Sequence, residues 1–387
     1  MKTATFDYHL PPELIAQEPV EPRDASRLLV LGSRVPAAGR PALEHRIFRD
    51  LPDLLGPSDL VVFNETKVIP ARLLGWKSTG GRVEVLLLRP AEDSPGAAGD
   101  VPEDVVRWEA LVKPGRRVKP GSELVFGNDP GAPRLRARVE ARTEAGGRIL
   151  SFTTVREGES FGQVLEELGR VPLPPYVTRA LEDPERYQTI YARRPGSVAA
   201  PTAGLHFTPE VMRRLSDKGV SRAWVTLHIG LDTFRPVREE DVEDHRMHRE
   251  WYEVPAETAE AIARCRERGG AVVACGTTVV RTLESAADPD RPGLVRPGSG
   301  ETSLFIYPGF RFRVVDVLLT NFHLPRSTLI MLVAAFGGTE RVMAAYREAV
   351  RLRYRFYSFG DAMLVFPPPG RDPAGTGPPP EKEEGPS

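Results

Sequence analysis

The sequence predicts an α/β protein: a discontinuous α/β domain built from both ends of the chain, with a small six-stranded β-barrel domain inserted into it. Three observations carry this expectation. Short apolar or alternating runs recur between Ala71 and Thr154 with no helical stripe. Strands and helices alternate on the C-terminal side of that region. A lone buried-looking strand at 59–63 stands just before the texture changes.

The elements follow in order. Residues 11–16 read as a short helix with proline in its permitted first turn, and 26–32 as a strand closed by glycine. The strand at 59–63 leads into the turn Asn64-Glu65-Thr66-Lys67. Six runs near 71–76, 83–88, 106–112, 122–126, 134–142 and 148–153 have the length and spacing of strands in a small closed barrel. Residues 89–104, rich in Pro, Gly and acid, read as an exposed loop. Helices return at 161–168 and from Pro209, where Thr208 caps the start and Gly219 marks the stop. A strand at 220–229, a helix at 255–268 and a strand at 271–275 follow, the last turning at Gly276-Thr277-Thr278 into a helix through Glu284. A strand at 314–319 precedes Thr320-Asn321-Phe322-His323 and a helix near Ser327. Thr339 is placed to cap a last long helix, whose Val342, Met343, Tyr346, Ala349 and Val350 share one face. A strand at 363–366 closes the fold. The expected domains are therefore 1–70 with 155–366, the barrel at 71–154, and a Pro-rich tail at 367–387 that buries too little apolar area to order.

Composition excludes several classes. Lys and Arg number 52 against 53 Asp and Glu, so any nucleic-acid contact has to be a local patch. The two cysteines, Cys265 and Cys275, lack CxxC spacing, which argues against a disulfide scaffold or zinc ribbon. No G-x-G-x-x-G follows a strand, and no Walker A loop or H-E-x-x-H is present. His245, His248 and Glu250 have ligand-like spacing, but flanking arginines would repel a divalent cation, so no metal is expected. With no apolar stretch of membrane-span length, cytoplasmic residence without membrane association is the expectation.

Three histidines sit beside strand ends or turns among polar neighbours: His206, His228 and His323. Asp232 is near enough in sequence to orient His228. Any one alone reads more readily as a satisfied structural histidine; three together argue that at least one takes part in chemistry. The strand–Gly276–Thr277–Thr278–helix junction suits close approach of a ligand, although a packing glycine and ordinary cap give the same text. Arginines and rings interleave in Arg347 to Phe359, where Arg351, Arg353 and Arg355 can meet phosphates and Tyr354, Phe356 and Tyr357 can stack on unpaired bases. A basic turn carries Arg116, Arg117 and Lys119.

These residues fall within longer blocks. They include Phe6-Asp7-Tyr8-His9-Leu10-Pro11, Arg23-Asp24-Ala25-Ser26-Arg27-Leu28, Asn64-Glu65-Thr66-Lys67-Val68-Ile69-Pro70, and Ala200-Pro201-Thr202-Ala203-Gly204-Leu205-His206-Phe207. They continue with Leu227-His228-Ile229-Gly230-Leu231-Asp232-Thr233-Phe234, Arg281-Thr282-Leu283-Glu284, Thr320-Asn321-Phe322-His323-Leu324-Pro325-Arg326-Ser327, and Tyr357-Ser358-Phe359-Gly360-Asp361. In this order the chain resembles the S-adenosylmethionine:tRNA ribosyltransferase-isomerase family of queuosine synthesis. The resemblance implies S-adenosylmethionine as co-substrate, no metal, and a tRNA partner bearing 7-aminomethyl-7-deazaguanine at the wobble position. The implied products are epoxyqueuosine-tRNA, adenine and methionine, and a monomer is expected. On the demands of that reaction we expect proton transfer by His228 with Asp232, with His206 and His323 as alternatives for protonating adenine. Arg23, Asn64, Arg281 and Asn321 would orient substrate, and the Gly204 and Gly276, Thr277, Thr278 turns would admit the adenosyl group. Two other readings stay open: an RNA methyltransferase using the same two substrates, and a non-enzymatic RNA-binding module.

Overall fold

The computed structural model describes residues 1–33, 43–91, 105–143, 146–179, 181, 183–230 and 236–370. Asp232 and most of the tail thus lie outside the described residues, as does most of the loop at 89–104. The chain divides into two compact units, Met1–Thr66 with Pro175–Arg194 and Ala200–Ser387, and Lys67–Pro174 with Pro195–Ala199. The barrel span expected from sequence lies inside the second.

The chain opens with β1 (Arg27–Leu31), β2 (Leu43–Ile47), the short helix α1 (Leu51–Leu54), β3 (Leu60–Asn64) and the three-residue β4 (Thr66–Val68). Six strands follow: β5 (Arg72–Lys77), β6 (Arg82–Pro90), β7 (Val105–Lys113), β8 (Glu123–Phe126), β9 (Leu135–Arg142) and β10 (Arg148–Thr154). They close into an antiparallel barrel in the order β10-β7-β6-β5-β8-β9. Alternation fills it: Leu73, Val85, Leu87, Leu124, Phe126, Val139, Leu150 and Phe152 are buried while their strand neighbours face out. Helix α2 (Phe161–Leu168) belongs to this unit, begins with a Ser160–Gln163 capping box, and sets Phe161 on Phe152 at 5.2 Å between ring centroids.

The remaining elements are β11 (Arg194–Ser197), α3 (Pro209–Asp217), β12 (Ser221–Leu227), β13 (Glu250–Val254), α4 (Ala256–Glu267), β14 (Val272–Cys275), α5 (Thr277–Ser285), β15 (Gly298–Thr302), β16 (Val317–Asn321), α6 (Thr328–Gly337), α7 (Thr339–Arg351) and β17 (Ala362–Val365). A nine-stranded mixed sheet runs β15-β13-β12-β3-β14-β16-β17-β1-β2. Its centre, β12, β3, β14 and β16, is parallel. Leu60, Val62, Val272, Ala274 and Leu318 pack on one face with residues of α4 to α7, and Val61, Phe63, Val273, Cys275 and Leu319 on the other with α1 and α3. Side chains alternate across a strand, so near-continuous apolar text is what a sheet covered on both faces requires.

Two expectations are corrected. The strand expected at 314–319 begins only at Val317, because the Glu284 carboxylate accepts the backbone N–H groups of Arg313, Val314 and Val315 at 2.7, 3.1 and 3.0 Å. Asn321 therefore ends a strand instead of following one. Thr339 does not cap α7: it is the first helical residue, and Gly338, with φ 84°, turns the chain from α6 into α7.

Candidate active site

In open α/β sheets ligands bind beyond the carboxyl ends of the parallel strands, and there this sheet carries a cleft. β14 ends at Gly276, whose φ of 99° is strained for any residue with a side chain and whose N–H donates to Leu319 O at 2.7 Å. The chain then enters α5, so Thr277 and Thr278 line the cleft with first-turn amides that have no partner in the helix. β16 supplies Thr320 and Asn321, and the turn after it Phe322, His323 and Leu324. Thr202, Ile229, Tyr176, Tyr357 and Ser358 complete much of the wall. Among the described residues no permanently charged side chain lines it; hydroxyls, rings and one histidine do.

Of the three histidines only His323 lines this cleft. Its Nε2 lies 2.8 Å from Thr320 Oγ1, and burial pushes its pKa down to about 3. The backbone at His323 is held by two tyrosines, Tyr346 Oη accepting its N–H at 3.1 Å and Tyr8 donating to its carbonyl. His206 is buried one step behind the wall, stacked on Phe48 at 4.9 Å. Its Nδ1 meets Ser26 Oγ at 2.7 Å and its Nε2 meets Asn321 Nδ2 at 3.1 Å. Burial, aided by Arg355 and Arg23, lowers its pKa to about 3. His228 is half-buried beside Trp251, with Nδ1 2.9 Å from Thr66 Oγ1, and burial followed by the nearby Arg194 lowers its pKa to about 4.

His228 still connects to the cleft through Asn64. The buried Asn64 accepts the N–H groups of Thr66 and Leu227 at 3.2 and 3.1 Å, and donates to Leu227 O at 3.0 Å and Thr278 Oγ1 at 3.4 Å. It thus ties the ends of β3 and β12 to the first turn of α5 without reaching the cleft wall itself.

The structure brings Gly276, Thr277, Thr278, Asn321 and His323 together and places other expected site residues elsewhere. Arg23 donates to the carbonyls of Gln188 and Glu185 at 2.7 and 3.1 Å. Arg281 is buried against the Glu250 carboxylate and also donates to Leu304 O at 3.0 Å. Gly204 gives room to a neighbour: a Cβ there would stand 1.9 Å from Tyr191 Oη. His245 pairs with Glu239 at 3.1 Å, not with His248 or Glu250.

Arg116, Arg117 and Lys119 are exposed after β7, with no ion pair among the described residues. Arg351 pairs with Glu348 at 2.6 Å, Arg353 lies 3.8 Å from Glu13, and Arg355 donates to Glu18 O. Stacking of Tyr354, Phe356 and Tyr357 on unpaired bases at the surface is corrected: all three are buried, the first two in the core around Phe322.

Sequence reasoning did not single out Tyr176, Thr202 or Ser358 as site residues. Tyr176 Oη meets Ser358 Oγ at 2.7 Å, and the Tyr176 and Tyr357 rings lie 4.6 Å apart. A lone tyrosine after two prolines gives no signal; Thr202 and Ser358 sit inside motif blocks and could have been taken from their position beside His206 and Tyr357.

Residues 3–365 match a family model described as queuosine biosynthesis protein. A relative from Anaeromyxobacter sp. (strain Fw109-5) is 57% identical over 367 residues, covering 94% of this chain and 99% of its own. One from Pelotomaculum thermopropionicum is 55% identical, covering 94% and 100%, and one from Thermotoga maritima 53%, also covering 94% and 100%. All three are named S-adenosylmethionine:tRNA ribosyltransferase-isomerase. The crystal structure of S-adenosylmethionine tRNA ribosyltransferase from Thermotoga maritima superposes with a TM-score of 0.50 at 44% identity, covering 94% of this chain and all of that one.

Proposed function

Because the chain belongs to the queuosine biosynthesis protein family, we propose that it transfers and isomerises the ribosyl group of S-adenosylmethionine onto 7-aminomethyl-7-deazaguanine in tRNA. The products are epoxyqueuosine-tRNA, adenine and methionine. The observation that carries the reading is the composition of the cleft: among the described residues no permanently charged side chain lines it, and the rings of Tyr176 and Tyr357 and the opening turn of α5 do. Aromatic faces suit both a purine and a sulfonium cation, and free first-turn amides suit a carboxylate.

The sulfonium acidifies the adjacent C5′ hydrogens and makes methionine a good leaving group. The protein has to supply a base for that proton, an acid for departing adenine, and a site that holds the attacking amine neutral. His323, which lines the cleft, is uncharged at neutral pH; with its pKa lowered to about 3 it is a weak base, so it accepts the proton only because the sulfonium has acidified C5′. Having taken the C5′ proton it becomes the acid that adenine requires, so one residue serves both steps. Exclusion of methyl transfer is then positional: C5′, not the methyl group, faces the acceptor amine.

Purified protein incubated with S-adenosylmethionine and tRNA bearing the deazaguanine precursor tests this by mass analysis. Adenine and methionine in equal amounts are expected; S-adenosylhomocysteine would establish methyl transfer instead. His323→Ala is expected to slow turnover by about 10²-fold or more while S-adenosylmethionine binding persists. The same loss in His228→Ala with little effect at His323 would transfer the role to His228 and Asp232.

A further inference from the structure

A non-glycine residue rarely adopts positive φ, and a bulky one does so only where its surroundings hold it there. Tyr357, in the cleft wall, has φ 69°. Its carbonyl accepts the N–H of Gly360 at 2.9 Å and Asn321 Nδ2 at 3.1 Å, and its own N–H donates to Phe322 O at 3.1 Å. The Asn321 amide can take only one orientation here, since a carbonyl can only accept. Its second N–H is then directed at His206 Nε2, 3.1 Å away, and its Oδ1 accepts from Thr202 Oγ1 at 3.2 Å. That fixes the tautomer of His206: Nε2 is bare, and Nδ1–H donates to Ser26 Oγ at 2.7 Å. The path Ser26–His206–Asn321–Tyr357 is buried, and both His206 ring nitrogens and both Asn321 amide atoms on it have partners.

We propose that His206 is a positioning residue: by accepting from Asn321 it locks the amide that holds Tyr357 in its left-handed conformation, and so sets the aromatic wall formed with Tyr176 against the adenine of the bound co-substrate. The last clause rests on reading the cleft as the S-adenosylmethionine site. His206 neither lines the cleft nor has a nitrogen left to give or take a proton at substrate. Arg355 and Arg23 are the charges it feels, and both oppose its protonation. In place of His206, glutamine can put an amide oxygen where Nε2 stands, whereas phenylalanine keeps the shape and removes the acceptor.

The experiment compares His206→Gln, His206→Phe and Asn321→Asp with the unsubstituted protein. Readouts are S-adenosylmethionine affinity by calorimetry, kcat and KM between pH 6 and 9, and the Tyr357 backbone conformation by crystallography. Glutamine is expected to keep kcat/KM within a few-fold and leave the pH profile unchanged. Phenylalanine and Asn321→Asp are each expected to lower kcat/KM by roughly 10²-fold, the cost of a misplaced binding wall, with Tyr357 relaxed to negative φ. The double variant His206→Phe/Asn321→Asp should be no worse than Asn321→Asp alone. A loss in His206→Gln as large as in His206→Phe would show that the His206 proton itself matters, and would overturn the proposal. So would a Tyr357 that keeps its conformation in both Asn321→Asp and His206→Phe. Should His206→Phe not fold, Asn321→Asp carries the comparison alone. If the unsubstituted protein does not bind S-adenosylmethionine, the functional reading fails, while the Tyr357 conformation in the variants still decides the clamp.

Discussion

Arg281 illustrates how a residue's surroundings, more than its motif, decide what it does. Its guanidinium is buried against Glu250, 31 positions away, and Glu250 in turn accepts the Gly230 N–H at 3.1 Å, anchoring the chain where it leaves β12. Removing one member of a buried pair strands the other charge. Arg281→Ala is therefore expected to lose about 3–5 kcal/mol of stability in urea unfolding, with co-substrate affinity little changed in the folded protein. A large loss of affinity at unchanged stability would return Arg281 to the cleft. The text around Arg281 gave no hint of this, because its partner is set by the β13–β15 pairing and not by local sequence. His206 was legible as a polar residue near chemistry for the converse reason, its block being dense in small residues around Thr202. Its place behind the wall with both ring nitrogens engaged, which removes it from acid–base work, depends on Phe48 and Ser26 far upstream.

Among elements, those with a local period were readable and those defined by a partner strand were not. The six barrel strands and α2 to α5 could be read because alternation, a helical face and caps are written within a few residues. β2, β13 and β15 gave no such signal; β15, Gly298-Ser-Gly-Glu-Thr302, lacks strand-forming text until its last residue and exists by its register against β13. The junction of β14 and α5 was readable as a strand–glycine–helix turn, and the structure adds why glycine is needed. Gly276→Ala would have space around its new Cβ, the nearest atoms being 3.6 and 3.7 Å away, but would keep a φ of 99°. The expected cost is about 1–3 kcal/mol of strain, seen as a lower unfolding midpoint together with weaker co-substrate binding, since Thr277 and Thr278 move with the turn. An unchanged midpoint would show that the turn relaxes freely. The basic turn after β7 carries a separate prediction. Neutralising Arg116, Arg117 and Lys119 together should reduce the slope of log affinity for tRNA against log salt by roughly 2 to 3, at about 0.7 to 0.9 per phosphate contact. An unchanged slope would move the contact elsewhere.

At the scale of the whole molecule the charges nearly cancel, so general repulsion is weak and pH acts through particular buried groups. His206 and His323 are nearly inaccessible, and both have pKa values lowered by burial to about 3. In the unfolded chain each titrates near the ordinary histidine value of about 6.5. Between those limits the unfolded state binds protons that the folded state refuses, so stability is fully present above about pH 6.5 and is lost as pH falls toward 3. Each histidine contributes a slope of up to about 1.4 kcal/mol per pH unit. Neighbouring links tie the loss to the site: a proton on His206 Nε2 would face the Asn321 amide N–H it now accepts. Urea midpoints measured from pH 8 to pH 4.5 should therefore hold level down to about 6.5 and then fall. His206→Gln should fall less steeply, because one proton-binding group has been removed from the unfolded state. A wild-type midpoint that stays flat from pH 6.5 to 5 would mean that these imidazoles are charged in the fold. The tautomer on which Asn321 and Tyr357 depend would then be wrong.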